Sequence, residues 1–166
     1  MNNQYCKIKV LDFARQAHAG QKRKYDDKPY ITHPIEVSKI VERNGGDLNQ
    51  QMAALLHDVL EDTSVGWEEL RSFLHNNFGV EQAEDVLHLV VQLTDVYTKE
   101  SFPDLNRRDR KRLEASRLGW VSVRAKQIKM ADIEHNTSSI VEHDPKFAKV
   151  FLQEKRELLE SMKLGG

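Results

Sequence analysis

The chain has 166 residues, with 25 Lys and Arg against 26 Asp and Glu and a formal net charge of -1. That length fits one domain with a buried core, and the balanced charge leaves no global field pointing to nucleic acid or to an anionic membrane. The single cysteine, Cys6, excludes an internal disulfide framework and fits a reducing compartment. No apolar run approaches the length of a membrane span, and residues 1–15 lack a signal-peptide core, so a cytoplasmic protein is expected.

Apolar residues recur at helical spacing and strand alternation is missing, which predicts an all-α fold. In chain order, residues 4–19 place Ile8, Leu11, Ala14 and Ala17 on one side of a helix that Gly20 can end. Residues 21–33 are polar, with turn chemistry at Asp26-Asp27 and Pro29. Pro34 suits the first position of a helix running to about Arg43, which puts His33 at or beside the N-cap. Asn44-Gly45-Gly46-Asp47 is a turn, and another helix starts near Leu48. Helices follow over 67–77, 81–93, 106–118, 122–142 and 146–163, with residues 94–105, which contain Pro103, as a loop between two of them. No linker, repeat or low-complexity tract divides the chain. Residues 1–166 therefore read as one compact helical domain of about eight helices.

The segment Leu55-Leu56-His57-Asp58-Val59-Leu60-Glu61-Asp62-Thr63 sets four metal-capable or proton-handling side chains in an apolar helical stretch. On a regular helix His57 shares a face with Glu61 and Asp58 with Asp62, the two faces lying about 100° apart. Ionised groups beside Ala53, Ala54, Leu55, Leu56, Val59 and Leu60 are costly to bury without a cation or a hydrogen-bond partner. A divalent metal is the economical explanation.

Three segments stand in order: Tyr30-Ile31-Thr32-His33-Pro34, then Leu56 to Asp62, then Lys129-Met130-Ala131-Asp132-Ile133-Glu134-His135-Asn136. The pattern resembles the HD-domain metal-dependent phosphohydrolases. More narrowly, it resembles the hydrolase domain of the RelA/SpoT family and its small stand-alone members, over residues 11–140. The resemblance implies a metal held by His33, His57, Asp58 and Asp132. Two neutral imidazoles and two carboxylates balance a divalent charge and suit a first-row ion. The family favours Mn²⁺, with Fe²⁺, Co²⁺ and Zn²⁺ open. Taken singly, His33 could cap its helix and Asp132 could be a solvated helix residue. The resemblance makes Glu61 and Asp62 the catalytic pair, beside the attacking water in general-base and orienting roles. An N-cap role for Asp62 or Thr63 is the plainer alternative.

The implied substrate is a purine nucleotide carrying a pyrophosphate on the ribose 3′ position. The reaction would be (p)ppGpp hydrolysis to GDP or GTP plus pyrophosphate. Arg23 and Lys24 match the basic pair that borders the base in the family, and Asn136 matches a nucleotide-contacting asparagine. Lys99, Arg107, Arg108 and Lys111 belong to a basic region that would reach the phosphates, although such a run is more often a solvated helix face. One departure stands out. After Ala131-Asp132 the larger family continues with a basic and a leucine-like residue, then Asn followed by Met-Arg, where this chain has Ile133-Glu134-His135-Asn136-Thr137-Ser138. The change falls beside the nucleotide and bears on substrate choice more than on the metal. With the chain stopping at Gly166, short of the synthetase and regulatory domains of the long members, degradation without synthesis is expected.

The alternatives keep the metal centre and change the substrate to an adenosine alarmone, the 2′-phosphate of NADPH or a nucleoside monophosphate. Another is a nucleotide-binding HD domain without catalysis. Nucleic acid is disfavoured, because the basic run at 107–112 would have to be the whole binding surface. His18, His75, His88, His135 and His143 receive no role. Phe147, Val150 and Phe151 are left between core and dimer contact, so self-association stays open.

Overall fold

The computed structural model describes residues 1–164. In chain order they form α1 (Asn3–Ala17), α2 (Thr32–Arg43), α3 (Leu48–Leu56), α4 (Val59–Asp62), α5 (Trp67–Asn77), α6 (Val80–Leu93), α7 (Arg107–Leu118), α8 (Val123–His143) and α9 (Pro145–Leu164). Among the described residues the only β pairing is an isolated bridge between Lys22 and Pro29 in the α1–α2 connection. The all-α expectation holds, with about eight helices if α3 and α4 are counted as one interrupted helix.

The centre of the fold is α3. Met52, Ala53, Ala54, Leu55 and Leu56 are all buried, so the C-terminal half of this helix is apolar around its whole circumference, as a helix surrounded by others must be. It packs against α1, α2, α6 and α8, and the two alanines leave room for close approach. Its start is fixed by a capping box: the Asp47 carboxylate accepts from the Gln50 amide at 2.9 Å, and the Gln50 side chain accepts from the Asp47 amide at 2.9 Å. Arg124 of α8 bridges Asp47 and Asp85 of α6 at 2.8 and 2.7 Å, tying three helices together at this end.

On α1 the buried stripe runs through Cys6, Val10 and Ala14, with Leu11 and Ala17 packed at its flank. Ile8 is 49% exposed and lies outside that stripe, contrary to the sequence reading. Cys6 and Val10, four residues apart, define the face, and Ile8 falls about 200° around the helix from each.

A second layer is built by α7 and α9, whose contact with α8 encloses Ala115, Leu118, Ile133, Leu158 and Met162. The approach is close. A Cβ on Gly119 would lie 2.7 Å from the Ser161 carbonyl oxygen, so glycine lets the end of α7 seat against α9. These two helices form the outer wall of the cavity described below.

Candidate metal centre

The helix that was expected to carry the whole HDxxED motif is interrupted inside it. Helix α3 ends at Leu56, His57 and Asp58 form a turn, and α4 is a single further turn. The cause is local. The Nδ1 of His57 hydrogen-bonds the Ala54 carbonyl at 2.6 Å, drawing on the acceptor that an uninterrupted helix reserves for the amide of Asp58. The break changes where side chains point. Neighbours on a regular helix diverge by about 100°, yet His57 Nε2 and Asp58 Oδ2 meet at 3.0 Å.

His33 arrives from α2. It occupies the first turn, not the cap: Ile31 is the N-cap and makes no side-chain cap bond, and Pro34 is the third helical residue. Proline is tolerated there because amides of a first turn have no intrahelical acceptor. The His33 ring is 1% exposed, with Nε2 3.0 Å from Asp132 Oδ1 and 3.6 Å from Asp58 Oδ2. Asp132 comes from the middle of α8, and its Oδ1 is also 3.5 Å from His57 Nε2. Three separate elements thus bring His33, His57, Asp58 and Asp132 to one point.

These residues fit a cation. With its Nδ1 hydrogen given to Ala54, His57 keeps a bare Nε2 that is buried and, among the described residues, without a hydrogen-bond partner. That lone pair faces two carboxylates, an arrangement that is repulsive unless a positive charge lies among them. Burial opposes a charged imidazole at His57, but Asp58 and Asp132 outweigh it and raise its proton affinity well above the ordinary value. The field that would hold a proton would equally hold a metal. The carboxylates remain ionised despite desolvation: the charged form of His57 holds Asp58 down to about 2, and Lys129, with His33 and the charged form of His57, holds Asp132 well below its usual range.

Around this centre stand Asn136, expected from the sequence to contact the nucleotide, and three residues to which the sequence assigns no role, Tyr30, Lys129 and His135. Tyr30 donates its hydroxyl to Asp58 at 2.5 Å, with Asp62 Oδ2 3.4 Å away. Lys129 pairs with Asp132 Oδ2 at 2.9 Å, and the Asn136 amide donates to Asp132 Oδ1 at 2.9 Å. His135 places its Nδ1 2.7 Å from His33 Nδ1. For His33 to offer Nε2 to a metal, its Nδ1 must carry the hydrogen and donate to His135, so His135 fixes the useful tautomer. His135→Phe removes that acceptor and is expected to weaken Mn²⁺ binding about 10- to 100-fold in a calorimetric titration. Unchanged affinity would reduce His135 to packing. The one signal available in the sequence was spacing, since Lys129 and His135 lie three residues on either side of Asp132.

Glu61 turns away from the four-residue cluster to accept from the backbone amide of Asp95. Local desolvation, then the nearby carboxylates of Asp95 and Asp58, lift its proton affinity above the usual carboxylate range, although the residue stands at the exposed rim. Asp62 is also exposed, and burial of its carboxylate together with Asp58 raises its pKa. Asp58, Glu61 and Asp62 remain close enough for one oxygen of each to surround a common point.

Beside the centre opens a cavity of about 290 Å³ between the α1–α2 connection, α7, α8 and α9. Its walls include Arg23, Lys24, Arg107, Lys111 and Asn136. The connection is folded into a narrow finger, with Arg23 N–H donating to Lys28 and Tyr30 N–H to Gln21, both at 2.8 Å, which carries Arg23 and Lys24 to the rim. Arg108 and Lys99 are not part of the walls. Arg108 stands beside Arg107 and Lys111 in a neighbouring groove between α7 and α9, and Lys99 is exposed on the 94–106 connection. Phe147 and Phe151 line the cavity, while Val150 is 49% exposed on the outside of α9.

A family model described as "HD domain" matches residues 10–158. A guanosine-3′,5′-bis(diphosphate) 3′-pyrophosphohydrolase MESH1 of Xenopus tropicalis is 38% identical over 132 residues, which are 78% of this chain and 66% of that protein. The protein of the same description in Drosophila melanogaster is 36% identical over 141 residues, covering 83% of this chain and 71% of its own length. This chain therefore spans about two thirds of the length of these relatives. A solved structure of a metazoan orthologue of SpoT that hydrolyses ppGpp superposes with a TM-score of 0.77 at 29% identity, over 94% of this chain and 84% of that one. With the match running from α1 into α9 and through every element that reaches the metal centre, the chain belongs to the HD domain family.

Proposed function

We propose that this chain is a divalent-metal-dependent phosphohydrolase that releases pyrophosphate from the 3′ position of guanosine tetra- or pentaphosphate. The observation that carries this reading is the bare, buried Nε2 of His57 between two carboxylates, directly beside a cavity walled by cations. The relatives described as 3′-pyrophosphohydrolases support the choice of substrate. We take residues 1–166 as one such domain, acting in the cytoplasm, where the buried, free Cys6 would stay reduced. Among the described residues no helix is long and apolar enough to cross a membrane.

His33, His57, Asp58 and Asp132 would hold the ion, and their mixed imidazole and carboxylate donors favour Mn²⁺. When bound, a divalent ion acidifies water and polarises a phosphoryl oxygen. Glu61 is the proton acceptor, because a carboxylate with raised proton affinity is matched to taking a proton near neutral pH. Asp62 and Tyr30, both beside Asp58, orient the attacking water. Arg23 lays a planar guanidinium against the purine and Lys24 borders it. Asn136, already bonded to Asp132, offers its amide to the ribose, and Arg107 and Lys111 neutralise phosphate charge. Lys99 and Arg108 receive no part in this mechanism.

A panel of guanosine tetraphosphate, its adenosine counterpart, NADPH and GMP, each assayed with Mn²⁺, tests the substrate. The expected outcome is GDP and pyrophosphate from the guanosine compound, with kcat/KM at least ~10-fold above the rest. Orthophosphate release from NADPH as the faster reaction would overturn the substrate and keep the phosphohydrolase.

A further inference from the structure

Of the cations that line the cavity, Arg23 and Lys24 of the α1–α2 connection and Lys155 of α9 have no ion pair among the described residues, and Lys155 is the one of them that stands on the α7–α9 wall. Arg107 is clamped by both oxygens of Glu154 at 2.9 and 3.1 Å, and Lys111 lies 3.8 Å from Asp95. Lys24 is exposed to water. Lys155 is half-buried and, among the described residues, has neither a hydrogen bond nor an ion pair, resting its ammonium 4.9 Å from the centre of the Phe151 ring. Glu154, the one carboxylate among the cavity's wall residues, is already taken by Arg107.

Such a side chain is costly to the fold. Burial first, and then the neighbouring charge of Lys129, press the Lys155 pKa down to about 8, with Lys111 adding to the effect. Asp132 is the strongest counterweight, ahead of Glu154, and it is committed to Lys129, His33 and Asn136. The cavity wall to which Lys155 belongs runs from Tyr30 and Asn136, beside the metal centre, to Arg107 and Lys111 of α7. A desolvated cation without a partner, facing a cavity, is satisfied by an anion that enters the cavity.

We propose that Lys155 is a phosphate-binding residue, placed to hold the diphosphate group that lies between the metal centre and the α7–α9 wall. This rests on the phosphohydrolase reading of the same site. The ligand class is a di- or polyphosphate, because Lys155 shares the wall of one cavity with the cations Lys111 and Arg107 and that cavity opens beside the centre.

The test uses inorganic pyrophosphate as probe, titrated by calorimetry into the Mn²⁺-loaded protein and its variants Lys155→Met and Lys155→Arg. Methionine keeps the stem against Phe151 and removes the charge. The expected result is a loss of at least about tenfold in pyrophosphate affinity for Lys155→Met, and recovery to within about threefold for Lys155→Arg. Mn²⁺ affinity should stay unchanged, and the melting temperature of Lys155→Met should equal or exceed that of the parent, since an unpartnered cation has been removed. Unchanged pyrophosphate affinity would overturn the proposal, and so would a loss matched by weaker Mn²⁺ binding or by a lower melting temperature. Pyrophosphate binding that depends on Lys155 in a protein that does not turn over guanosine tetraphosphate would remove the substrate reading and leave Lys155 in place. Turnover with KM and pyrophosphate affinity untouched by Lys155→Met would do the reverse.

Discussion

Asp58→Ala is expected to lower pyrophosphate release on the order of 10³-fold or more and to eliminate tight Mn²⁺ binding. Its carboxylate is the group that faces both imidazoles, 3.0 Å from His57 and 3.6 Å from His33, and it stays ionised although desolvated. Removing it deletes a donor and half of the negative charge that the bare nitrogen of His57 confronts. The fold should survive, because the Tyr30 hydroxyl can turn to Asp62, whose Oδ2 is 3.4 Å away. Retained circular dichroism with lost turnover and lost metal is therefore the anticipated pair of results. Residual activity above a tenth of the parent would place the metal elsewhere.

Lys129→Met should destabilise the metal-free protein by about 3 kcal/mol, which for a chain of this size is a fall of roughly 6–12 °C in melting temperature. Its ammonium is 2.9 Å from Asp132 Oδ2, with the two side chains only 17% and 10% exposed, so the substitution strands a buried carboxylate. Saturating Mn²⁺ should recover much of that loss, because a cation held by Asp132 supplies the missing positive charge and binds only the folded state. An equal loss with and without Mn²⁺ would mean that Asp132 is a structural partner of Lys129 and not a metal ligand.

The helices were largely legible because their faces and their boundaries agree. The span expected at 67–77 is α5 to the residue, and the one expected at 81–93 begins one residue earlier, at Val80, with Gly66 and Gly79 as N-caps. The interruption at His57 was not legible. Apolar periodicity continues from Leu56 to Val59 and Leu60, and the break comes from one imidazole hydrogen-bonding the Ala54 carbonyl. Pro34 misled the start of α2 by two residues, since proline is as acceptable at the third helical position as at the first.

At the site, the order of the three motif segments was readable, but their meeting point was not. The ring contact between His33 and His135 joins residues 102 apart in the chain, and no local pattern marks it. The basic run divides between two neighbouring hollows: Arg107 and Lys111 reach the cavity, while Arg108 lines only the adjoining groove, a distinction that a count of basic residues cannot make. Lys155 carried no motif at all; its interest lies in what the fold leaves unpaired.

The most direct test of the central claim is stepwise addition of Mn²⁺ to the metal-stripped protein, with pyrophosphate release from guanosine tetraphosphate read at each step. The account predicts no turnover without metal and a linear rise that saturates at one ion per chain, in step with binding. Turnover that is already complete in the metal-free protein, or an ion bound at one equivalent with no turnover at all, would contradict it.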